Sequence, residues 1–235
     1  MGTTEGAGIM EATMRIGILG TGVVGSTLGS KLVAQGHDVR MGSRRAGNEK
    51  AVAWAAAAGA GASEGTFADA AAFGEVVMNC TAGSASLAAL EAAGRENLAR
   101  KVLIDVANPL DFSKGMPPTL TVCNTDSLGE QIQRAFPEAR VVKTLNTMNA
   151  AVMVEPALVP GDHNVFLSGN DVTAKGQVAG WLTEWFGWKP ASIIDLGDIT
   201  SARGAEMLLP MWLRLLGALG TPRINFHIQR AQATR

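Results

Sequence analysis

Tyrosine is absent from this chain, and cysteine and histidine are rare: its 235 residues include two cysteines and three histidines. The cysteines, Cys80 and Cys123, can form one disulfide at most and do not have the spacing of metal ligands. We expect both thiols to be reduced and largely buried, as free cysteines usually are. The sequence therefore predicts neither a disulfide-rich scaffold nor a metal site.

Neither sign of charge is in excess, since 20 Lys and Arg stand against 21 Asp and Glu with no basic block. Nucleic acid and anionic membrane surfaces are therefore not expected as partners. The longest strongly apolar stretch, Met207 to Leu216, is about half the length of a membrane span and contains Pro210 and Arg214. Residues 1–13 lack the basic start of a secretion signal. They are expected to form a disordered tail on a cytoplasmic protein.

The chain does contain a repeated alternation of short apolar runs with longer helical patterns, which is typical of βα units on a mostly parallel sheet. The runs are rich in Val and Ile and do not alternate with polar residues, as in strands covered on both faces. The predicted strands are Arg15 to Leu19, Asp38 to Met41, Val76 to Asn79, Val102 to Val106, Val141 to Leu145, Asn164 to Leu167 and Ser192 to Ile194. The predicted fold class is α/β, a Rossmann-type doubly wound sheet with a small carboxyl-terminal extension of helix and strand.

Helical patterns separate these strands. The first begins near Gly22, carries Leu28 and Leu32 on one apolar face, and ends at Gly36. Further helices are predicted over Glu49 to Ala58, Ser127 to Phe136 and Asp171 to Phe186.

The segment from Ser201 to Leu219 predicts a last helix that is apolar nearly all the way round. Two interpretations stay open: a core helix beneath a final strand at Arg223 to Ile228, or the interface of a homodimer. The predicted organisation is a tail at 1–13, a Rossmann domain at 14–150, and an extension at 151–235. The extension would complete the sheet and form the dimer and substrate site.

The run GTGVVG at residues 20–25 follows the first predicted strand and opens the first helix, as a dinucleotide-binding fingerprint requires. Gly20 would permit the tight turn, Gly22 the close approach of a pyrophosphate, and Gly25 the contact of helix with strand. The amides at the helix start would bind the phosphates.

After the second strand, where an NAD enzyme places Asp or Glu, the chain has Ser43, Arg44 and Arg45. A carboxylate would repel the 2′-phosphate of NADP, whereas guanidinium groups can pair with it and Ser43 can donate a hydrogen bond. The sequence therefore favours NADPH over NADH.

Four segments would meet beyond the carboxyl ends of the strands: Thr21, then residues 81–83, 108–110 and 146–150. Turn chemistry alone would explain any one of them, but together they outline a nicotinamide pocket. Lys143 is the one obvious candidate for a proton donor, and it falls in a predicted strand. Since no other side chain is placed to donate a proton, the sequence favours an acceptor that takes hydride into a conjugated ring and needs mainly orientation.

The runs GILGTGVVG, GSRR, VVKTLNTMNA and SARGAEMLLPMWLRLLGALG with INFHI, in this order, resemble the NADPH-dependent reductases of the deazaflavin coenzyme F420. The resemblance extends from about Met14 to Ile228, and membrane metalloreductases carry a similar nucleotide domain. It implies a homodimer in which coenzyme F420 stacks on the nicotinamide near Met148 and Ala150, in a shallow cleft by the carboxyl-terminal helix. No catalytic side chain is expected. The residues expected at the nucleotide are Gly20, Thr21, Gly22, Val23, Val24, Gly25, Ser43, Arg44, Arg45, Thr81, Ala82, Asn108, Pro109, Asn146, Met148 and Ala150.

The first functional hypothesis is hydride transfer between NADP(H) and coenzyme F420. The alternatives are an NADPH-dependent reductase of free flavin, metal chelate or another small acceptor, a non-catalytic NADPH sensor, and a conventional carbonyl or imine reductase. Only the sensor predicts tight nucleotide binding without turnover.

Overall fold

The computed structural model describes residues 13–231. Residues 1–12, almost all of the predicted tail, and residues 232–235 lie outside the described part of the chain. No helix within 13–231 is both long and apolar enough to cross a membrane.

Eight strands form one sheet in the order β10-β9-β8-β5-β4-β1-β2-β3. Neighbouring strands pair in parallel except β8 with β9, which are antiparallel. The strands are β1 Arg15–Leu19, β2 Asp38–Ser43, β3 Ala62–Thr66, β4 Val76–Asn79, β5 Val102–Asp105, β8 Arg140–Thr144, β9 Val165–Ser168 and β10 Ile193–Asp195, and a separate hairpin pairs β6 Leu110–Asp111 with β7 Thr119–Leu120. The prediction of a mostly parallel α/β sheet is confirmed.

Helices cover both faces of the sheet, and buried apolar side chains form two clusters, one on each side. The helices are α1 Val23–Ala34, α2 Glu49–Ala58, α3 Phe67–Phe73, α4 Gly83–Ala93, α5 Arg95–Leu98, α6 Leu128–Ala135, α7 Ala150–Val154, α8 Val172–Phe186 and α9 Ala202–Leu219. Every residue of β4, β5 and β9 is buried, and so is every residue of β1 except Arg15, as expected for strands covered on both faces.

The direction of chain progression reverses at β1. The chain passes from β1 to β2 and β3 on one side, and then crosses to β4 and β5 on the other. The loops that follow β1 and β4 therefore lie side by side at the carboxyl edge of the sheet, where open α/β sheets bind ligands.

Two sequence predictions are wrong. Residues Arg223 to Ile228 form no strand; this segment instead makes isolated hydrogen bonds to Asn164, whose backbone N–H donates to Phe226 O at 2.8 Å. Cys123 is exposed because it lies in the loop after the small hairpin, whereas Cys80 is buried as expected.

The last helix, α9, has one buried side and one exposed side. It buries Ala205, Leu209 and Trp212 on one side and leaves Met207 and Met211 exposed on the other. Its inner side packs against α6 and β9. The buried side agrees with the interpretation as a core helix. The dimer interface stays a prediction for the exposed side.

Candidate nucleotide-binding site

The fingerprint turn owes its shape to two glycines. Gly20 has φ +119°, and a Cβ there would lie 2.7 Å from the carbonyl oxygen of Cys80. A Cβ on Gly25 would lie 2.2 Å from the carbonyl oxygen of Gly20, because α1 contacts the turn directly. Gly22 differs from both, since a Cβ there would meet nothing within 4 Å. The backbone beside Gly22 is thus open to a ligand.

The helices that begin beside this turn have free N-terminal amides. Gly22 and Ala82 precede α1 and α4 without a side-chain cap. The starts of α5 and α9 also lack one, whereas α2, α3, α6, α7 and α8 each have one. The first amides of an α-helix have no partner within the helix. An uncapped start leaves them available to a phosphate, which the helix dipole also attracts.

A cavity of about 630 Å³ lies between the fingerprint turn, the end of β2 and α4. Its polar end contains Thr21, Ser43 and Arg44. Its apolar side contains Phe67 and four alanines of α4, namely Ala85, Ala88, Ala89 and Ala92. The cavity therefore offers an apolar wall for a flat ring beside a polar end for phosphate.

The bend after β2 presents its arginines to solvent. Both Arg44 and Arg45 are exposed, and neither guanidinium forms an ion pair with a carboxylate in the described chain. Arg44 lines the cavity, while Arg45 does not. Arg44 is thus the better placed of the two to neutralise a dianion in the cavity.

Ser43 holds the bend in shape. Its buried hydroxyl donates to the carbonyl oxygen of Arg45 at 2.5 Å and accepts from the Arg45 backbone N–H at 3.4 Å. The carboxylate of Glu64 accepts from Gly47 N–H on the far side of the bend, at 3.0 Å. The predicted donation from Ser43 to a phosphate would require its hydroxyl proton to turn away from Arg45.

A second cavity of about 200 Å³ shares Cys80, Thr81 and Ala82 with the first. The predicted segments after β4 and β5 form its walls, with α1 and the small hairpin opposite. Its other lining residues are Val24, Gly83, Ser84, Val106, Ala107, Asn108, Leu110 and Phe112. The two cavities together run across the reversal point of the sheet, as a dinucleotide site would.

The segment after β8 supports the second cavity from behind. Asn146, Met148 and Ala150 are buried and line neither cavity. The amide of Asn146 donates to Asn108 Oδ1 at 2.9 Å, and the amide of Asn108 donates to Asn146 O at 2.8 Å. Pro109 also lies outside the walls and accepts from Thr121 N–H at 2.8 Å. The two hydrogen bonds with Asn146 fix the position of Asn108.

Buried polar side chains hold the loop after β4. Asn79 Oδ1 accepts from the hydroxyl of Thr81 at 2.7 Å, and its amide donates to Asp105 Oδ1 at 2.8 Å. The hydroxyls of Thr81 and Ser86 are 2.8 Å apart. Thr81, which borders both cavities, is therefore tied to the interior by its side chain.

Lys143 lies within β8 and has no exposed side-chain surface. Its ammonium group is 2.9 Å from Asp105 Oδ2 and 2.8 Å from Glu206 Oε1, and it also donates to Ala107 O. Burial by itself would lower the pKa of Lys143, but the two carboxylates outweigh burial and raise this pKa above its usual range. The ammonium group has all three donors engaged and is no proton donor for either cavity.

Several cavity residues were missed in the sequence. Phe67 and Asn48 line the first cavity, and so do the alanines at positions 85, 88, 89 and 92 of α4. The alanine spacing of three, four and seven residues puts one side of small residues on a helix. That spacing was a usable signal, but nothing local indicated that this side faces a cavity.

Comparisons with known proteins identify relatives of this chain. A sequence model of the family described as "NADP oxidoreductase coenzyme F420-dependent" matches residues 15–109, which include β1 to β5. A solved structure from Arthrobacter sp. FB24, assigned as an F420-dependent NADP reductase, is 56% identical to this chain. The match covers 92% of this chain and 100% of that one, with a TM-score of 0.86.

Two more distant proteins are also similar to this chain. The metalloreductase STEAP3 of Rattus norvegicus is 28% identical over 211 residues, which are 88% of this chain and 39% of that protein. This chain therefore spans about two fifths of the length of that curated relative. A reductive aminase from Aspergillus terreus, solved with NADPH and ethyl levulinate, has a TM-score of 0.64 at 20% identity, over 88% of this chain and 63% of that one. At such identity the likeness shows the fold alone.

Proposed function

The chain belongs to the coenzyme F420-dependent NADP oxidoreductase family, and on that premise we propose that it transfers a hydride between NADP(H) and coenzyme F420. Membership makes it an NADP-dependent oxidoreductase. What we propose beyond this is that coenzyme F420 is the second substrate, and the following observations support it.

The residues present fit NADP(H). The open backbone at Gly22 and the uncapped start of α1 suit a pyrophosphate, and Arg44 at the polar end of the first cavity suits the 2′-phosphate. Phe67 and the alanines of α4 suit the adenine ring. Thr81, Ala82 and Asn108, which line the second cavity, would surround the nicotinamide.

The choice of acceptor rests on the side chains that line the second cavity. Among its described lining residues, none has a carboxyl, imidazole, ammonium or guanidinium group. Burial raises the pKa of the Cys80 thiol above its usual range, with a further contribution from the charge of Asp105. A ketone or imine would need a positioned proton donor. An acceptor that spreads charge over a conjugated ring needs mainly a fixed orientation.

When bound, NADPH supplies a hydride: a C–H bond of the nicotinamide breaks, a C–H bond forms on the deazaflavin, and one proton from water completes the reduced ring. The residues of this chain bind and orient both rings. The bonds from Asn79 and Asn146 keep Thr81 and Asn108 in place at the cavity wall.

The proposal is tested by absorbance. Purified protein with NADP⁺ and reduced coenzyme F420 is expected to restore the absorption band of the oxidised deazaflavin. If the spectrum stays unchanged at high protein concentration while NADPH binds normally, the deazaflavin is not the substrate.

A second candidate, reduction of a flavin or metal chelate by NADPH, is favoured by the similarity to the metalloreductase STEAP3. An assay of NADPH oxidation with FMN or ferric citrate as the acceptor distinguishes the two, because NADPH would then be oxidised without coenzyme F420.

Two further proposals concern the whole protein. The exposed side of α9, with Met207, Met211 and Leu219, supports a homodimer. Sedimentation of a single species at the mass of one chain would contradict it. We also propose that the protein works in the cytoplasm, and fractionation of the source cells would test this location.

A further inference from the structure

The small hairpin of β6 and β7 is the one wall of the second cavity that does not belong to the large sheet or its helices. Phe112, the residue after β6, lines this cavity together with Val24 of α1. Its side chain is also 56% exposed, so it borders both the cavity and solvent. Phe112 is therefore at the mouth, where a second substrate would enter.

Hydrogen bonds fix the base of the hairpin. The N–H of Leu110 donates to Asn108 O at 2.8 Å, and the N–H of Thr121 donates to Pro109 O at 2.8 Å. The hydroxyl of Thr121 adds a contact to Pro109 O at 3.3 Å. Since Asn108 is itself bonded to Asn146, the hairpin is anchored to the loop that lines the cavity.

The tip of the hairpin is also held by hydrogen bonds. Asp111 accepts from the Ser113 backbone N–H at 2.8 Å and from its hydroxyl at 2.9 Å, and Gly115 N–H donates to Phe112 O at 2.9 Å. The hydrogen bonds from Ser113 lower the pKa of Asp111, so this carboxylate stays ionised and keeps its two bonds at neutral pH. Phe112 is thus presented from a defined turn.

The surface around Phe112 suits a flat ring. A benzyl side chain with more than half of its surface in water gains free energy when an aromatic ring covers it, both from burial and from ring stacking. Lys114 and the ionised carboxylate of Asp111 lie in the same turn, so this pair gives the tip no net charge. The exposed ring of Phe112 is therefore the feature that favours a planar aromatic acceptor.

We propose that the β6–β7 hairpin is the acceptor-binding element of this protein and that Phe112 stacks on the ring of the acceptor at the mouth of the second cavity. This inference rests on the proposed function, which has the acceptor meet the nicotinamide in the second cavity. It adds the residue that holds the acceptor, which neither the family nor the fingerprint supplies.

The test measures binding without turnover. Oxidised coenzyme F420 is titrated by equilibrium dialysis into protein saturated with NADP⁺, a combination that cannot react. Phe112→Ala is expected to raise the Kd of coenzyme F420 by roughly 10-fold. Phe112→Trp is expected to keep it within about 2-fold, because the aromatic face is retained. The Kd of NADPH is expected to stay the same in both variants.

Met116→Ala is the matched control, because Met116 is 70% exposed in the same hairpin but does not line the cavity. Its Kd for coenzyme F420 should equal that of the unaltered protein. An unchanged Kd in Phe112→Ala, or an equal loss in Met116→Ala, overturns the proposal.

A parallel titration with FMN separates this proposal from the proposed function. If the unaltered protein binds FMN but no coenzyme F420, and Phe112→Ala weakens FMN, the hairpin proposal stands and the deazaflavin reaction is wrong. If coenzyme F420 binds equally well to the unaltered protein and to Phe112→Ala, the hairpin proposal is wrong and the proposed deazaflavin reaction stands. Binding of neither ring compound overturns both.

Discussion

Lys143→Met is expected to lower the free energy of unfolding by roughly 3–5 kcal/mol, because it leaves two buried carboxylates without their shared cation. Asp105 and Glu206 have side-chain exposures of 0% and 1%, so water cannot replace the ammonium group. The remaining donors to Glu206 are the N–H groups of Leu128 and Gly129 at the start of α6, at 2.9 and 3.0 Å. Asp105 keeps the Asn79 amide at 2.8 Å and the Ala107 N–H at 3.3 Å, so each carboxylate keeps neutral donors but neither keeps a cation.

Urea unfolding followed by circular dichroism measures this loss. Lys189→Met is the matched control, since Lys189 pairs with Asp162 at 3.2 Å but both side chains are more than two thirds exposed. Exposed pairs contribute little, so this variant should unfold almost like the unaltered protein. Equal midpoints for the two variants would contradict the account of Lys143 as the cation of a buried cluster.

The same cluster predicts how stability depends on pH. A lysine whose pKa is raised on folding stabilises the fold fully below its unfolded pKa, near 10.5, and loses that contribution only as pH rises through the higher folded value. Around neutral pH the ammonium group therefore stays charged. Lys143 gives the carboxyl-terminal helix, through Glu206, a fixed attachment to the loop at Ala107.

Arg44→Ala is expected to weaken NADP⁺ binding by roughly 10- to 100-fold, the effect of losing a charge-assisted hydrogen bond to phosphate. Binding of NAD⁺, which lacks the 2′-phosphate, should change by less than about 2-fold. Arg44 is placed for this role because it lines the cavity and has no described carboxylate partner.

Isothermal titration of both nucleotides against both proteins measures the difference. Arg45→Ala is the control: Arg45 carries the same charge in the same bend but lies outside the cavity wall, and we expect a smaller loss. If Arg44→Ala weakens NADP⁺ and NAD⁺ by the same factor, Arg44 is only a surface residue.

The sequence predicted β1, β4 and β5 most closely, and these strands are buried on both faces. The runs at β1, β4 and β5 are nearly continuous in Val, Ile and Leu, so the pattern was local and strong. Strand β3 was missed because its sequence, ASEGT, is polar and because it has one neighbour, β2, at the edge of the sheet. Its pairing depends on β2 rather than on its own composition.

The candidate site shows the same contrast between residues found from local patterns and residues that depend on distant contacts. The fingerprint and Arg44 could be found because a turn and a helix start need particular residues at fixed spacing. Asn146 was expected at the nicotinamide from its position after a predicted strand, and Met148 and Ala150 by resemblance. All three are buried and line neither cavity. The partners of Lys143 come from β5 and α9, and no local pattern joins elements so far apart in the chain.

Direct transfer between two stacked rings is the central claim, and an isotope label tests it most directly. NADPH carrying deuterium at the transferable position of its nicotinamide is mixed with oxidised coenzyme F420 and the protein, and the reduced deazaflavin is analysed by mass spectrometry. We predict one deuterium per reduced deazaflavin, because a hydride that passes directly from one ring carbon to the other takes its deuterium along and does not exchange it with water. Reduced deazaflavin without deuterium, or NADPH that stays unoxidised although it binds, would contradict the account.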